Sequence, residues 1–223
     1  MKKWNLLEQT AAPDGTVVSL YEHDGTYGIR VGSAGLMSTR RYASEEEIAR
    51  LACAHLKTTR GARVLVGGLG LGFTLKAALA CLRPDAIVVT AEILAAVIAW
   101  NRNPAYPLAG AAMADPRVTI LHQDVVETIR ASPAAFDSII LDIDNGPVAL
   151  TTDSNVRLYR DGGLRLIYAA LRPGGCAALW SATPDAAFEK ALALAGFAAT
   201  AHRCRAHVHS GPWHTVFVAN RLP

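Results

Sequence analysis

The 223-residue chain has no cysteine pair spaced C-x-x-C, no block of like charge, no internal repeat and no apolar run long enough to cross a bilayer. Each absence removes a class of function. The four cysteines, Cys53, Cys81, Cys176 and Cys204, stand far apart, so reduced thiols in a cytoplasmic protein are the simplest expectation. The N-terminal stretch MKKWNLLEQTAAPDG carries lysines but no long apolar segment, and no secretion signal is expected. The most apolar stretch, 86–100, is too short to span a membrane and contains Glu92. With 22 basic and 19 acidic residues the net charge is +3, too balanced to imply nucleic acid or a membrane surface as partner.

What the chain has is apolar residues, 51% of the total, enough to bury a sizeable core in one large domain or a domain with a small appendage. From Thr16 to Thr39 it reads as short strands and turns. Asp24-Gly25 is a hairpin signal and Ser33-Ala34-Gly35 a second turn. Ser44 and Glu47 spell a capping box ahead of an apolar-periodic helix through Ile48, Leu51, Ala52 and Leu56. Glu45, Glu46 and Glu47 then fall in a first turn that the helix dipole favours. From Arg63 onward short apolar strands alternate with helices. The strands are expected at 64–66, 86–90, 118–121, 138–141 and 177–180, the helices near 72–82, 93–102, 124–131, 155–171 and 185–195. That alternation predicts a parallel sheet covered on both faces. Residues 197–205 and 215–220 are separated only by Ser210-Gly211-Pro212 and predict an antiparallel hairpin at one sheet edge. The expected division is a small β-hairpin region over 1–43 and a larger α/β domain over 44–223.

After the first parallel strand comes VLVGGLGLGFTLKAAL, 64–79. A glycine turn between strand and helix lets backbone approach a ligand, and the helix start offers free N–H groups to a negative group. The dinucleotide pattern G-x-G-x-x-G fails here, since the last position is Phe73 or Leu75. A P-loop fails because Phe73 stands where lysine is needed. What remains is Gly68, Gly70 and Gly72 at alternate positions, which a tight turn needed only for packing would also explain.

The following strands add acids. Glu92 ends the second strand about twenty residues after the glycines, placed to accept both hydroxyls of a ribose, or to sit solvated at a helix start. Gln123 and Asp124 end the third strand, and Asp124 can accept from an adenine amino group, cap the next helix, or do both. The fourth strand, FDSIILDIDNGP, releases Asp142, Asp144 and Asn145 into a Gly-Pro turn. An apolar strand gains nothing from burying such groups unpaired, so a reactive centre beside a nucleoside is expected there, with capping and turn formation the alternative. Asp142 is placed to orient an amine and take its proton.

These pieces, together with LYRDGGLRLIYAALRPGGCAALW, resemble the class I S-adenosylmethionine-dependent methyltransferases, and within them the spermidine synthase-like branch. The resemblance runs over most of 16–220. It implies a Rossmann-like methyltransferase fold: a mostly parallel seven-stranded sheet with a C-terminal antiparallel hairpin and a small N-terminal antiparallel β appendage. It implies that Gly68, Gly70 and Gly72 hold the amino-acid portion of S-adenosylmethionine, or of its decarboxylated form, that Glu92 binds ribose and that Asp124, beside Gln123, binds adenine. The catalytic aspartate of spermidine synthases falls on Asp142. That branch usually reads GGGDGG in the loop, where this chain has Gly70 in place of the aspartate, and its DSSD is DIDN here. The polyamine-binding types entering the first helix are replaced by MSTRRYASEE, with Arg40 and Arg41 opposing a cationic acceptor.

The expected function is methyl transfer to a small acceptor, an amine among the options. Aminopropyl transfer from decarboxylated cofactor to a polyamine is the alternative, and a non-catalytic nucleoside-binding protein a further one. The β appendage and apolar composition are compatible with a homodimer. His202, Cys204, His207, His209 and His214 crowd the tail, but their spacing matches no ligand pattern and no metal is assigned. Trp180 can wall the cofactor pocket or pack the core. Tyr159 can reach the acceptor or lie on a helix surface.

Overall fold

The computed structural model describes residues 4–143, 157–207 and 211–223. Two sheets organise it. The first is antiparallel, β1 (Asn5–Ala11), β2 (Val17–His23), β3 (Thr26–Val31) and β4 (Ala34–Ser38), paired in chain order. The second has seven strands: β5 (Arg63–Gly67), β6 (Ile87–Glu92), β7 (Val118–His122), β8 (Phe136–Leu141), β9 (Leu171–Ser181), β10 (Ala198–Arg205) and β11 (Trp213–Asn220). Their spatial order is β10-β11-β9-β8-β5-β6-β7. β5 through β9 run parallel, and β11 is antiparallel to both β9 and β10. The order reverses at β5, whose neighbours β6 and β8 lead in opposite directions. Ligands of open parallel sheets bind at the carboxyl edge at such a point.

The apolar central strands have the composition of strands buried on both faces. Val64, Leu65, Val66, Ile139, Ile140 and Leu141 are fully buried. The helices are α1 (Ala43–Cys53), α2 (Phe73–Cys81), α3 (Ala95–Arg102), α4 (Gly110–Met113), α5 (Val125–Arg130), α6 (Asp161–Ala170) and α7 (Ala186–Leu194), with a 3₁₀ turn at Ala54–Leu56. Asp124 starts α5 by accepting from the Val126 N–H (2.8 Å). Asp185 does the same for α7 with Ala187 and Phe188.

Three local expectations are corrected. β1 was not legible, because its residues are mostly exposed and do not alternate. The second hairpin turn sits one residue earlier, at Gly32-Ser33, because Gly32 takes the left-handed backbone (φ +57°) and Ala34 already belongs to β4. The capping box does not form. α1 starts at Ala43, after Tyr42 with no side-chain cap. Ser44 lies inside the helix and turns inward, and Glu47 pairs with Arg50 instead. A further difference concerns β9, which starts at Leu171 opposite Phe136, slips at Pro173-Gly174-Gly175 and resumes at Ser138↔Cys176, so LRPGG is drawn into the strand.

The two sheets share a core. Val18, Leu20, Ile29 and Val31 from the first sheet belong to one buried cluster with Ile48 and Ala52 of α1, Val64 and Val66 of β5, and Leu69 and Leu71 beyond it. This shared burial predicts that the N-terminal sheet does not melt by itself. Leu20→Ala empties a fully buried site and is expected to cost about 3 kcal/mol. Urea unfolding followed by far-UV circular dichroism and by tryptophan fluorescence should give one coincident transition at a lower midpoint.

Candidate functional site

The site is built on the turn between β5 and α2. Gly68, Gly70 and Gly72 all adopt left-handed backbone, with φ of +85°, +49° and +79°. At Gly68 a Cβ would lie 2.7 Å from the Asp142 carbonyl oxygen, so the tips of β5 and β8 meet at a separation only glycine permits. At Gly70 a Cβ would meet the Met37 sulfur at 2.5 Å. Met37 comes from β4, and its Sδ accepts from the Leu71 N–H at 3.2 Å, so the N-terminal sheet closes directly on the glycine turn.

One buried carboxylate holds that turn. Glu92 Oε2 accepts from the Leu69 N–H (2.8 Å) and Oε1 from the Leu94 N–H (2.9 Å), which ties the turn to the end of β6. Burial raises the Glu92 pKa, and the backbone N–H groups of Leu94 and Leu69 draw it part of the way back. Asn101 of α3 adds a second tie, donating to the Gly70 carbonyl at 2.7 Å and accepting from the Ala109 N–H at 3.1 Å.

A cavity of about 120 Å³ opens beside this turn. Gly68, Gly70, Glu92, Asp124 and Asp142 all line it, with apolar walls that include Met37, Leu94 and Val97. The glycine turn and the acids after the second, third and fourth parallel strands therefore converge. Asp124 lines the cavity and caps α5 at once. Gly72 and Gln123 are placed elsewhere. Gly72 precedes α2 where a Cβ would overlap the Ala109 Cβ at 2.2 Å, so its role is packing. The Gln123 side chain is exposed, and its backbone N–H bonds the Glu92 carbonyl. Asp144 and Asn145 lie outside the described residues.

Asp142 is not alone. Its Oδ2 accepts from Thr74 Oγ1 of α2 at 2.5 Å, and Glu45 of α1 lines the same cavity. Ser44 Oγ donates to Glu45 Oε2 at 2.5 Å, and His214 Nδ1 of β11 lies 3.1 Å from that hydroxyl. A polar line thus runs from His214 through Ser44 to Glu45, facing Asp142. Burial raises both carboxyl pKa values. Glu45 is raised further by the negative charge of Asp142, whereas the Thr74 hydroxyl holds Asp142 down. Two facing buried acids disfavour double ionisation and retain a proton between them. Burial lowers the His214 pKa and so favours the neutral ring.

Sequence reasoning placed Glu45 in a first turn favoured by the helix dipole, which holds, but did not expect it to be buried. Its spacing to Ile48, Ala49 and Ala52 was the available signal, because those positions put it on the buried face of α1. Trp180 does wall the cavity. Its indole lies edge-on to His214, and the buried Nε1 has no hydrogen-bond partner among the described residues. Tyr159 is buried rather than on a helix surface, because its ring packs on Phe188 and its hydroxyl donates to the Ile143 carbonyl. In the tail, His202 is exposed beside Thr200, Cys204 is buried with its thiol pushed up to about 11, and His209 lies outside the described residues. Among the described residues no three His, Cys, Asp or Glu side chains gather as a metal site would need, and no helix is long and apolar enough to cross a membrane.

No protein-family model matches the sequence, and no curated protein matches it. Solved structures do. A spermidine synthase from Thermotoga maritima aligns with a TM-score of 0.76 at 18% identity, over 96% of this chain and 72% of that one. A spermidine synthase in complex with the transition-state analogue AdoDATO aligns at 0.73, with the same identity and coverage. The CurJ carbon methyltransferase aligns at 0.56 and 16% identity, over 80% of this chain and 54% of that one. The chain has the Rossmann-like methyltransferase fold that these proteins share.

Two measurements follow from the geometry. Gly72→Ala combines a steric overlap with left-handed backbone and is expected to cost about 2 kcal/mol in chemical denaturation. The acid pair makes stability depend on pH. The unfolded chain ionises Glu45 and Asp142 near the ordinary carboxylate range, about 4, while the native state keeps protons to higher pH. The native state therefore binds more protons, and stability falls as pH rises through that window. Between about pH 7 and 8, above the ordinary titration range of histidine, the thermal midpoint of the ligand-free protein is expected to drop. Glu45→Gln should flatten that slope.

Proposed function

We propose that this protein transfers a group, most simply a methyl group, from S-adenosylmethionine to a small acceptor with a nucleophilic nitrogen. The observation that carries the reading is the meeting of bare backbone at Gly68 and Gly70 with Glu92, Asp124 and Asp142 in one cavity at the carboxyl edge of the parallel strands. The residues present fit such a nucleoside. Gly68 and Gly70 line the cavity with bare backbone, Glu92 offers a carboxylate to a ribose diol, and Asp124 an acceptor to an adenine amino group. The bound cofactor supplies an electrophilic carbon on a cationic sulfur. The protein's own part is alignment, because charge is dispersed rather than created when a neutral amine attacks. Asp142, held by Thr74, keeps the acceptor nitrogen in line and takes its proton as the new C–N bond forms and the C–S electron pair returns to sulfur.

Aminopropyl transfer to a polyamine is the second reading. It draws support from the two carboxylates, Glu45 and Asp142, that face one cavity, and from the shared fold of the spermidine synthases. Against it stands Gly70, whose left-handed backbone strains any side chain and where that branch usually places an aspartate.

Thermal shift separates the two readings, since a ligand that binds only the native state raises the midpoint by mass action. S-adenosylmethionine is expected to raise it more than decarboxylated S-adenosylmethionine with putrescine, and the reverse order would overturn methyl transfer. Asp142→Asn is expected to lower transfer about 10³-fold with nucleoside affinity changed less than threefold. A wild-type protein that binds the nucleoside but gives no transfer to any amine would make it a nucleoside-binding protein only.

A further inference from the structure

A second cavity, of about 410 Å³, adjoins the first on the side of the N-terminal sheet and the β10–β11 hairpin. The two share Ile29, Leu36, Met37, Glu45 and Trp180 as common wall. Its charges are separated. Glu45 stands at the junction and faces both cavities, with Asp142 beyond it. Arg30 and Arg41 line only the second cavity, together with the rings of Trp4 and Tyr21. Among the described residues neither guanidinium has a carboxylate partner. Arg30 instead lies over Tyr21 (4.6 Å) and Trp4 (5.6 Å), which holds its planar fork in place.

We propose that this second cavity takes an acceptor with an amine at one end and an oxyanion, carboxylate or phosphate, at the other, joined by an apolar or aromatic body. The inference rests on the transferase reading above and names its substrate class. The amine end goes to Glu45 and Asp142, where one shared negative charge matches one ammonium and stands beside the proposed transfer position. The oxyanion end goes to Arg41 and Arg30, because a guanidinium fork matches a carboxylate or phosphate in two parallel hydrogen bonds. The body lies against Trp4, Tyr21 and Trp180. The same arrangement disfavours a polyamine. With its first ammonium at Glu45, its second would be set among two guanidiniums that, among the described residues, have no carboxylate partner, and like charges brought together out of water repel.

A matched pair of rigid probes tests this: 4-(aminomethyl)benzoate and 4-(aminomethyl)benzylamine differ only in carrying a carboxylate or a second ammonium. Isothermal titration is run with and without S-adenosylhomocysteine. The benzoate is expected to bind about tenfold more tightly than the diamine. 4-(Aminomethyl)phenylphosphonate, run alongside, separates a phosphate-type partner from a carboxylate-type one by which of the two anions binds more tightly. Arg41→Gln should weaken the benzoate three- to fivefold, as befits an exposed contact, and Arg41→Glu should reverse the preference, both with S-adenosylhomocysteine affinity unchanged. Equal binding of benzoate and diamine, preference for the diamine, or binding of none of the three probes overturns the proposal. Loss of S-adenosylhomocysteine binding alone, with the benzoate preference intact, counts against the transferase reading and leaves the cavity's selectivity standing.

Discussion

The buried carboxylate of Glu92 is the constraint on which the rest of the site depends. It accepts one backbone N–H from the glycine turn and one from the segment after β6, so the ends of two parallel strands are fixed to each other by a single side chain. A buried acceptor of this kind is costly unless satisfied, and here the backbone satisfies it. With the turn fixed, Gly68 and Gly70 can be left without side chains and still hold one shape. The Asp142 carbonyl on one side and the Met37 sulfur on the other complete the enclosure.

The N-terminal sheet belongs to this enclosure and is not merely appended to it. Its buried residues pack into the same core as β5 and α1, and Met37 reaches the turn from β4. α1 then carries Ser44 and Glu45 inward, against Asp142 from β8 and His214 from β11. Three elements far apart in the chain, α1, the end of β8 and β11, thus supply one polar line. Because the two acids share a low-dielectric space, their proton affinities are linked to each other and to the stability of the fold.

The alternation of apolar strands and amphipathic helices from Arg63 onward was readable in the sequence, since strands buried on both faces must be apolar throughout. Gly68, Gly70, Glu92, Asp124 and Asp142 were legible for a related reason: each breaks the apolar pattern at a strand end, where a buried core has no use for it. Glu45 was missed because three consecutive glutamates at a helix start look like dipole partners, and only the helix's rotational setting decides which of them turns inward. Ser44 was read as a cap because its motif is local, whereas its actual partners, Glu45 and His214, were fixed by packing. β1 escaped notice because a largely exposed edge strand carries no period-two signal.

The sequence by itself determined the parallel core, the glycine turn and the three acids beyond the strands, because hydrophobic periodicity and backbone freedom are properties of short stretches of chain. Only the tertiary structure decided that Gly72 serves packing and that Gln123 faces solvent. It alone placed Glu45 opposite Asp142 and left two arginines in the adjoining cavity without a carboxylate partner among the described residues. Those outcomes depend on distances between residues up to 170 positions apart, such as Ser44 and His214, and such distances exist only once the layers have packed.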